Sequence, residues 1–141
     1  MCVIIDANMF GPYLKSNDQG MKFLKEWIEE HGGKITYSPT SSLKSEWNKS
    51  PNMWQLMVKY RERGKLKHID KHKVEIIQKE LLKKHDLKSN DSHIIALAMA
   101  AKVKVLVSKD QNLIEDFKNI IKGKTYKGTQ QKKLLRKDTC P

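Results

Sequence analysis

Residues 89–110 read SNDSHIIALAMAAKVKVLVSKD, and the order of elements in this stretch decides the fold class. Ser89-Asn90-Asp91 offers side chains suited to opening a helix. Ile94 to Ala101 is an unbroken apolar run, and Val103 to Val107 is rich in β-branched residues. Asp110 then opens a second helix, expected to reach about Ile120. A helix, a buried strand and a further helix, joined by very short connections, is the repeating unit of a parallel α/β sheet.

The alternation continues upstream. Cys2-Val3-Ile4-Ile5 is a short apolar run that stops at Asp6 and reads as a buried strand. Met21, Leu24, Trp27 and Ile28 recur at helical spacing, and His31-Gly32-Gly33 ends that helix. Lys34 to Tyr37 reads as a second strand. Ser38-Pro39-Thr40-Ser41 reads as a turn with capping residues before a helix through Trp47. Ser50-Pro51 breaks that helix, Met53 to Arg63 forms another closed by Gly64, and Leu66 to Ile69 is a third strand candidate. A helix over Val74 to Lys84 follows, and Thr125-Tyr126 is the last strand candidate. The expected fold is a three-layer α/β/α sandwich around a mostly parallel sheet. The expected division is a domain over 1–121 and a basic extension over 122–141. In such sheets ligands bind beyond the carboxyl ends of the strands.

A length of 141 residues fits one domain. With 38% hydrophobic and 31% charged residues, the chain suits a modest core under a charged surface, not general disorder. No stretch approaches the roughly 20 apolar residues of a membrane span, and the first residues lack the pattern of a signal peptide. A cytoplasmic location is expected. Cys2 and Cys140, without any C-x-x-C, do not suggest a zinc knuckle or a disulfide framework, and Cys2 reads as a small buried hydrophobe.

The charge is +12, and it is uneven. Lys118 to Lys137 contains eight basic residues and no acid, so this segment supplies two thirds of the excess. That balance favours a polyanionic partner such as nucleic acid. Two segments are candidates for holding it. One is the tail, with Lys124, Lys127, Lys132 and Lys133 and with Tyr126 among them. The other is Trp54 to Lys67, where Trp54 and Tyr60 interleave with Lys59, Arg61 and Arg63; Met53, Met57 and Tyr60 lie at helical spacing, and an amphipathic helix packed on the core or on a second subunit suits them equally well. Leu134 and Leu135 suggest that the tail docks on the body.

Against this basic background, four acids fall together. Asp6 ends the first strand and Asp110 lies just past the strand Val103 to Val107, so parallel neighbouring strands put both at one sheet edge. Asp91 heads a helix whose positions three, four and seven residues on are Ile94, Ile95 and Ala98, the buried stripe. Glu46 follows Leu43 by three residues and can look inward. Gathered carboxylates repel unless a cation neutralises them, and Mg²⁺ or Mn²⁺ is the kind of hard ion that does so.

The constellation resembles the PIN-domain nucleases. The matching residues are Val3-Ile4-Ile5-Asp6-Ala7-Asn8, Ser45-Glu46-Trp47, Asn90-Asp91-Ser92-His93-Ile94-Ile95-Ala96-Leu97-Ala98, and Val107-Ser108-Lys109-Asp110 with Leu113 after it. They span about residues 1 to 120. The resemblance implies a metal-dependent nuclease that hydrolyses phosphodiester bonds, usually in single-stranded RNA. Asp6, Glu46, Asp91 and Asp110 are then the catalytic, metal-binding acids, and Asn8 and Ser108 their polar supports. It also implies Mg²⁺ or Mn²⁺ as cofactor, a role as toxin or defence effector, an inhibitory antitoxin partner and homodimers. Glu62 is a distant rival to Glu46, and Asp116 is a second candidate for a peripheral role, though its place a turn and a half past Asp110 suits an exposed helix acid. A DNA nuclease and a non-catalytic nucleic-acid-binding adaptor share these features and stay open. His68 and His72, four residues apart, lack a third zinc ligand. His93, two residues past Asp91, is expected to face away from it at the surface.

Overall fold

The computed structural model describes residues 2–16, 18–128 and 133–135. Five strands form its sheet: β1 (Cys2–Ile5), β2 (Lys34–Tyr37), β3 (Leu66–His68), β4 (Val105–Val107) and β5 (Lys124–Thr125). Their spatial order is β3-β2-β1-β4-β5, and every neighbouring pair is parallel. All four residues of β1 are buried, which is why that strand is apolar without alternation. The helices are α1 (Phe10–Lys15), α2 (Gln19–Glu30), α3 (Ser41–Asn48), α4 (Pro51–Glu62), α5 (Lys71–Lys84), α6 (Ser92–Ala101) and α7 (Gln111–Asp116).

The strand order runs outward from β1 to β3 and then crosses back to β4 and β5, and the right-handed rule for parallel crossovers assigns the helices before β3 to one face and those after it to the other. The helix contacts follow that division except at the sheet edge, where α3 meets α6. Helix α1 packs on α2 and α4, and α3 packs on α4, whereas α6 packs on α5 and on the π-helical turn Phe117–Ile121. The expected parallel α/β/α architecture is therefore the observed one. Among the described residues no helix is long and apolar enough to cross a membrane.

Several boundaries differ from the sequence reading for local reasons. β4 starts at Val105 because Lys102 takes a left-handed conformation that ends α6, and Val103 N–H still bonds to Ala98 O. The segment after Asp6 was read without an element, yet it holds a 3-10 turn, Ala7–Met9, and then α1. Pro12 is tolerated there because it lies in the first turn of the helix. The last strand, expected at Thr125-Tyr126, starts one residue earlier, and Lys124 and Tyr126 N–H bond to Lys104 and Leu106 O on either side of β5. Tyr126 is buried with its hydroxyl on Gly20 O, and Leu135 is buried against the core. The start of the basic segment is thus part of the folded body. Cys2 is buried as expected, but it is disulfide-bonded, which the reading of the two cysteines did not anticipate; Cys140 lies outside the described residues.

Aromatic packing fixes the helices that carry the site. Trp47 packs on Phe10 at 4.4 Å between ring centres and on Tyr37 at 5.5 Å, seating α3 against α1 and β2. The Tyr13 and Tyr60 hydroxyls share a buried 2.7 Å hydrogen bond that ties α1 to α4. At the end of α2, His31 N–H and Gly33 N–H both bond to Trp27 O, so the chain folds back over the indole. A Cβ on Gly33 would lie 2.4 Å from a Trp27 ring carbon. That ring is itself buried and cannot swing away. Gly33→Ala is therefore expected to cost about 2 kcal/mol by overpacking, read as a lower urea midpoint with an unchanged slope.

Candidate functional site

The centre of the sheet is also its switch point: the chain leaves β1 for β2 on one side and reaches β4 on the other. Residues at the carboxyl ends of β1 and β4 therefore face a crevice between diverging connections. Ile5 pairs with Val107, so the next residue of each strand, Asp6 and Ser108, stand side by side. Asp6 N–H continues the ladder to Val107 O at 2.9 Å. Ser108 Oγ donates to Asp6 Oδ2 at 2.8 Å. The Asp6 residue is only 6% exposed. Burial pushes its carboxyl up to about 6, the Ser108 bond opposes this, and the charges of Asp91 and Glu46 push further in the same direction.

Asp91 occupies the position just before α6. Its backbone carbonyl accepts from Ile94 and Ile95 N–H, while its side chain makes no capping bond. The carboxylate is thus not spent on the helix end. Burial raises its pKa, His93 lowers it, and Glu46, Asp110 and Asp116 raise it again. Glu46 comes from α3, one residue before the anchored Trp47, and reaches across the sheet edge to α6. Its Oε1 accepts a 2.7 Å hydrogen bond from His93 Nε2. Asp110 caps α7, accepting from Asn112 and Leu113 N–H on the single oxygen Oδ1, and its own N–H donates to Ser108 Oγ. The structure thus gathers Asp6, Glu46 and Asp91, with Asp110 within electrostatic reach of Asp91 and Ser108 as the bridge between Asp6 and Asp110.

Other expected residues fall elsewhere. Asn8 is exposed on the 3-10 turn. Glu62 is exposed on α4, away from the cluster's contacts. His68 ends β3 while His72 lies in the first turn of α5, so the two do not share a helix face. Tyr60 and Tyr126 are buried and hydrogen-bonded, so neither ring is open to a base. Trp54 is 36% exposed and lines a hollow of about 230 Å³ with Tyr37, Lys44, Arg61 and His68. Arg63 is exposed at the end of α4. Lys124 and Lys127 line a basic hollow with Lys118 and Lys122. This hollow adjoins, at Ile114 and Lys127, a cleft that runs past Tyr126 and Asp18 to Lys109 and Ser108. Lys133 is exposed, and Lys132 lies outside the described residues.

Two residues were misread. Asp116 is not an exposed helix acid: it is 4% exposed and accepts bonds from Lys88 N–H, Ser89 N–H and Ser89 Oγ. His93 is not a surface histidine: it is 5% exposed, with Nε2 2.7 Å from Glu46 and 3.9 Å from Asp91. The spacing argument failed because Asp91 precedes the helix, with ψ of 44°, and helical periodicity does not apply to it. The available signal was the helix itself. It is apolar all round, so a histidine in its first turn is carried inside.

The Glu46, Asp91 and His93 donor atoms all lie within 4.8 Å of one another. A second such group, Glu26, Glu30 and His31 at the end of α2, is fully exposed and reads as ordinary surface charge. The cluster at the sheet edge differs because its members are partly or fully buried and because Asp91 makes no capping bond. That donor set fits a divalent cation.

No family model matches this chain, and no curated protein matches it. Among solved structures it is similar to a chain in the crystal structure of VapBC2 from Rickettsia felis bound to a DNA fragment from their promoter. The identity is 19%, the match covers 89% of this chain and 97% of that one, and the TM-score is 0.49.

Proposed function

We propose that this chain is a metal-dependent endoribonuclease of the PIN type, which cuts single-stranded RNA and acts as the toxic member of a pair with an inhibitory protein. One observation carries the reading: Asp6, Glu46 and Asp91, from three different elements, share the crevice at the switch point, and Asp6 is nearly buried there. An acid raised to about 6 by burial and by two like charges is poorly placed for stability alone. Asp6, Glu46, Asp91 and Asp110 are the residues that would hold the ion. A divalent ion bound there supplies a water acidic enough to attack phosphorus near neutral pH and charge to offset the leaving oxygen.

The remaining work falls to the chain. Ser108 fixes the Asp6 carboxylate and receives Asp110 N–H, so one hydroxyl sets two of the four acids. The acids repel RNA, and the basic surface offsets this. The cleft past Ser108 and Lys109 adjoins the hollow of Lys118, Lys122, Lys124 and Lys127, a track for phosphates on either side of the cut. Trp54, with Lys44 and Arg61 beside it, offers an exposed ring for an unpaired base. Arg63 and Lys133 are exposed and are further candidates for phosphate contacts, and Lys132, outside the described residues, is assigned that role from the sequence alone. The inhibitor and a second copy of this chain are the protein partners that the motif resemblance implies.

The test is cleavage of mixed single-stranded RNA and DNA by the parent protein and by Asp91→Asn, with Mg²⁺, with Mn²⁺ and with chelator. The expected result is RNA cleavage by the parent alone, abolished by chelator. Cleavage restricted to DNA moves the reading to a DNA nuclease. Salt-sensitive binding without any cleavage moves it to an adaptor.

A further inference from the structure

We propose that His93 is itself a ligand of the metal centre, so that the centre favours a first-row transition ion over Mg²⁺. This rests on the nuclease reading only in taking Glu46 and Asp91 as metal-binding acids. The argument starts from burial. An imidazole carried inside needs partners for its polar atoms, and Nε2 has turned to the carboxylates, 2.7 Å from Glu46 Oε1 and 3.9 Å from Asp91 Oδ1. Helix α6 presents this ring from its first turn, and Asp91, which makes no capping bond, stands immediately before it. The three donor atoms are mutual neighbours, and Asp6 lies close enough to feel both Asp91 and Glu46.

The donor set then decides the ion. Mg²⁺ keeps to oxygen ligands and holds several waters, and a nitrogen at the centre gives it nothing. Neutral imidazole suits cobalt, nickel, iron and zinc, and affinity for a mixed nitrogen and oxygen site rises from Mn²⁺ along the series. In the ion-free chain Nε2 is engaged by Glu46. On ion binding Nε2 gives up the proton it donates to Glu46 to solvent while Nδ1 takes one up, so that the neutral ring offers Nε2 as the nitrogen donor, and Glu46 is released to bind alongside it.

The experiment uses the full chain, the metals alone and no RNA. Co²⁺, Mn²⁺ and Mg²⁺ affinities are measured by calorimetry for the parent, His93→Gln and Glu46→Gln, and pulsed electron paramagnetic resonance is recorded on the Mn²⁺ forms. The expected result is tighter Co²⁺ than Mg²⁺ binding and a nitrogen coupling on Mn²⁺ in the parent. His93→Gln loses the coupling and about tenfold or more in Co²⁺ affinity, with little change for Mg²⁺. Glu46→Gln weakens all three ions and keeps the coupling, which shows that the signal belongs to His93 should His93→Gln fold poorly. Mn²⁺ binding without nitrogen coupling overturns the proposal and leaves the nuclease reading standing. An equal loss for Co²⁺ and Mg²⁺ in His93→Gln also overturns it, because His93 then only positions Glu46. Binding of no ion overturns both readings.

Discussion

With Asp6 replaced by asparagine, the protein is expected to lose RNA cleavage by about a thousand-fold or more and yet, free of metal, to melt higher than its parent at neutral pH. The two effects have one cause. Asp6 carries a carboxyl raised from 3.8 to about 6, chiefly by burial and further by Asp91 and Glu46, against the pull of Ser108. The folded chain therefore holds this proton more tightly than the unfolded chain. Below pH about 4 both states are protonated and nothing is lost. As pH rises from about 4 to 6, the unfolded chain releases the proton first, and stability falls; above 6 the full loss remains, about 3 kcal/mol for a shift of roughly two units. Asparagine keeps the shape, can accept the Ser108 bond, and places an N–H₂ group among carboxylates. It removes the anion that a cation needs. In chelator, the melting temperature of the parent should drop between pH 4 and 6.5 relative to Asp6→Asn. Added Mn²⁺ should raise the melting temperature of the parent by more than that of the variant, which keeps the other donors and lacks one anion. A variant that melts below the parent at pH 7.5 in chelator, or that still cleaves, contradicts the assignment of Asp6.

The sheet and its helices were legible because parallel strands are buried on both faces and so appear as short apolar runs such as Cys2 to Ile5. Caps and breakers also acted locally: Thr40 accepts from Leu43 N–H, and Asp110 caps α7, as their neighbours' spacing implied. Helix α1 was not legible, because Gly11 and Pro12 disguise six residues that tertiary packing of Phe10 and Tyr13 holds in a helix. The acids could be placed on one sheet edge from strand ends alone. Their partners could not, because His93 and Glu46 are 47 residues apart and meet only through the packing of α3 on α6. Base stacking failed at two aromatics for a related reason, and at Tyr60 the alternative of a helix packed on the core is the observed one. Tyr60 and Tyr126 sit among basic residues in the chain, but their hydroxyls found Tyr13 and Gly20 O inside the fold.

Asp116 makes the second large prediction, since it connects stability to the placement of Asp91. Its carboxylate collects Lys88 N–H at 3.0 Å, Ser89 N–H at 2.9 Å and Ser89 Oγ at 2.8 Å. Ser89 Oγ in turn accepts Asp91 N–H at 3.3 Å. The loop that delivers Asp91 to the crevice is thus moored by one buried acid on α7. Removing it in Asp116→Ala strands the Ser89 donors without water, each worth about 1–3 kcal/mol, and frees Lys88 N–H as well. The expected loss is about 4 kcal/mol, a large share of the 5–15 kcal/mol typical of a domain, and a fall in melting temperature of more than about 10 °C. Asp116→Asn should fall between, because a single amide oxygen can serve some of the donors while its N–H₂ group confronts the rest. Cleavage measured well below both melting points should still be at least tenfold down in Asp116→Ala, because an acid displaced by an ångström no longer sits where its neighbours need it. Co²⁺ affinity should weaken in parallel, whereas a purely structural mooring would lower the melting temperature and leave ion binding at 10 °C unchanged.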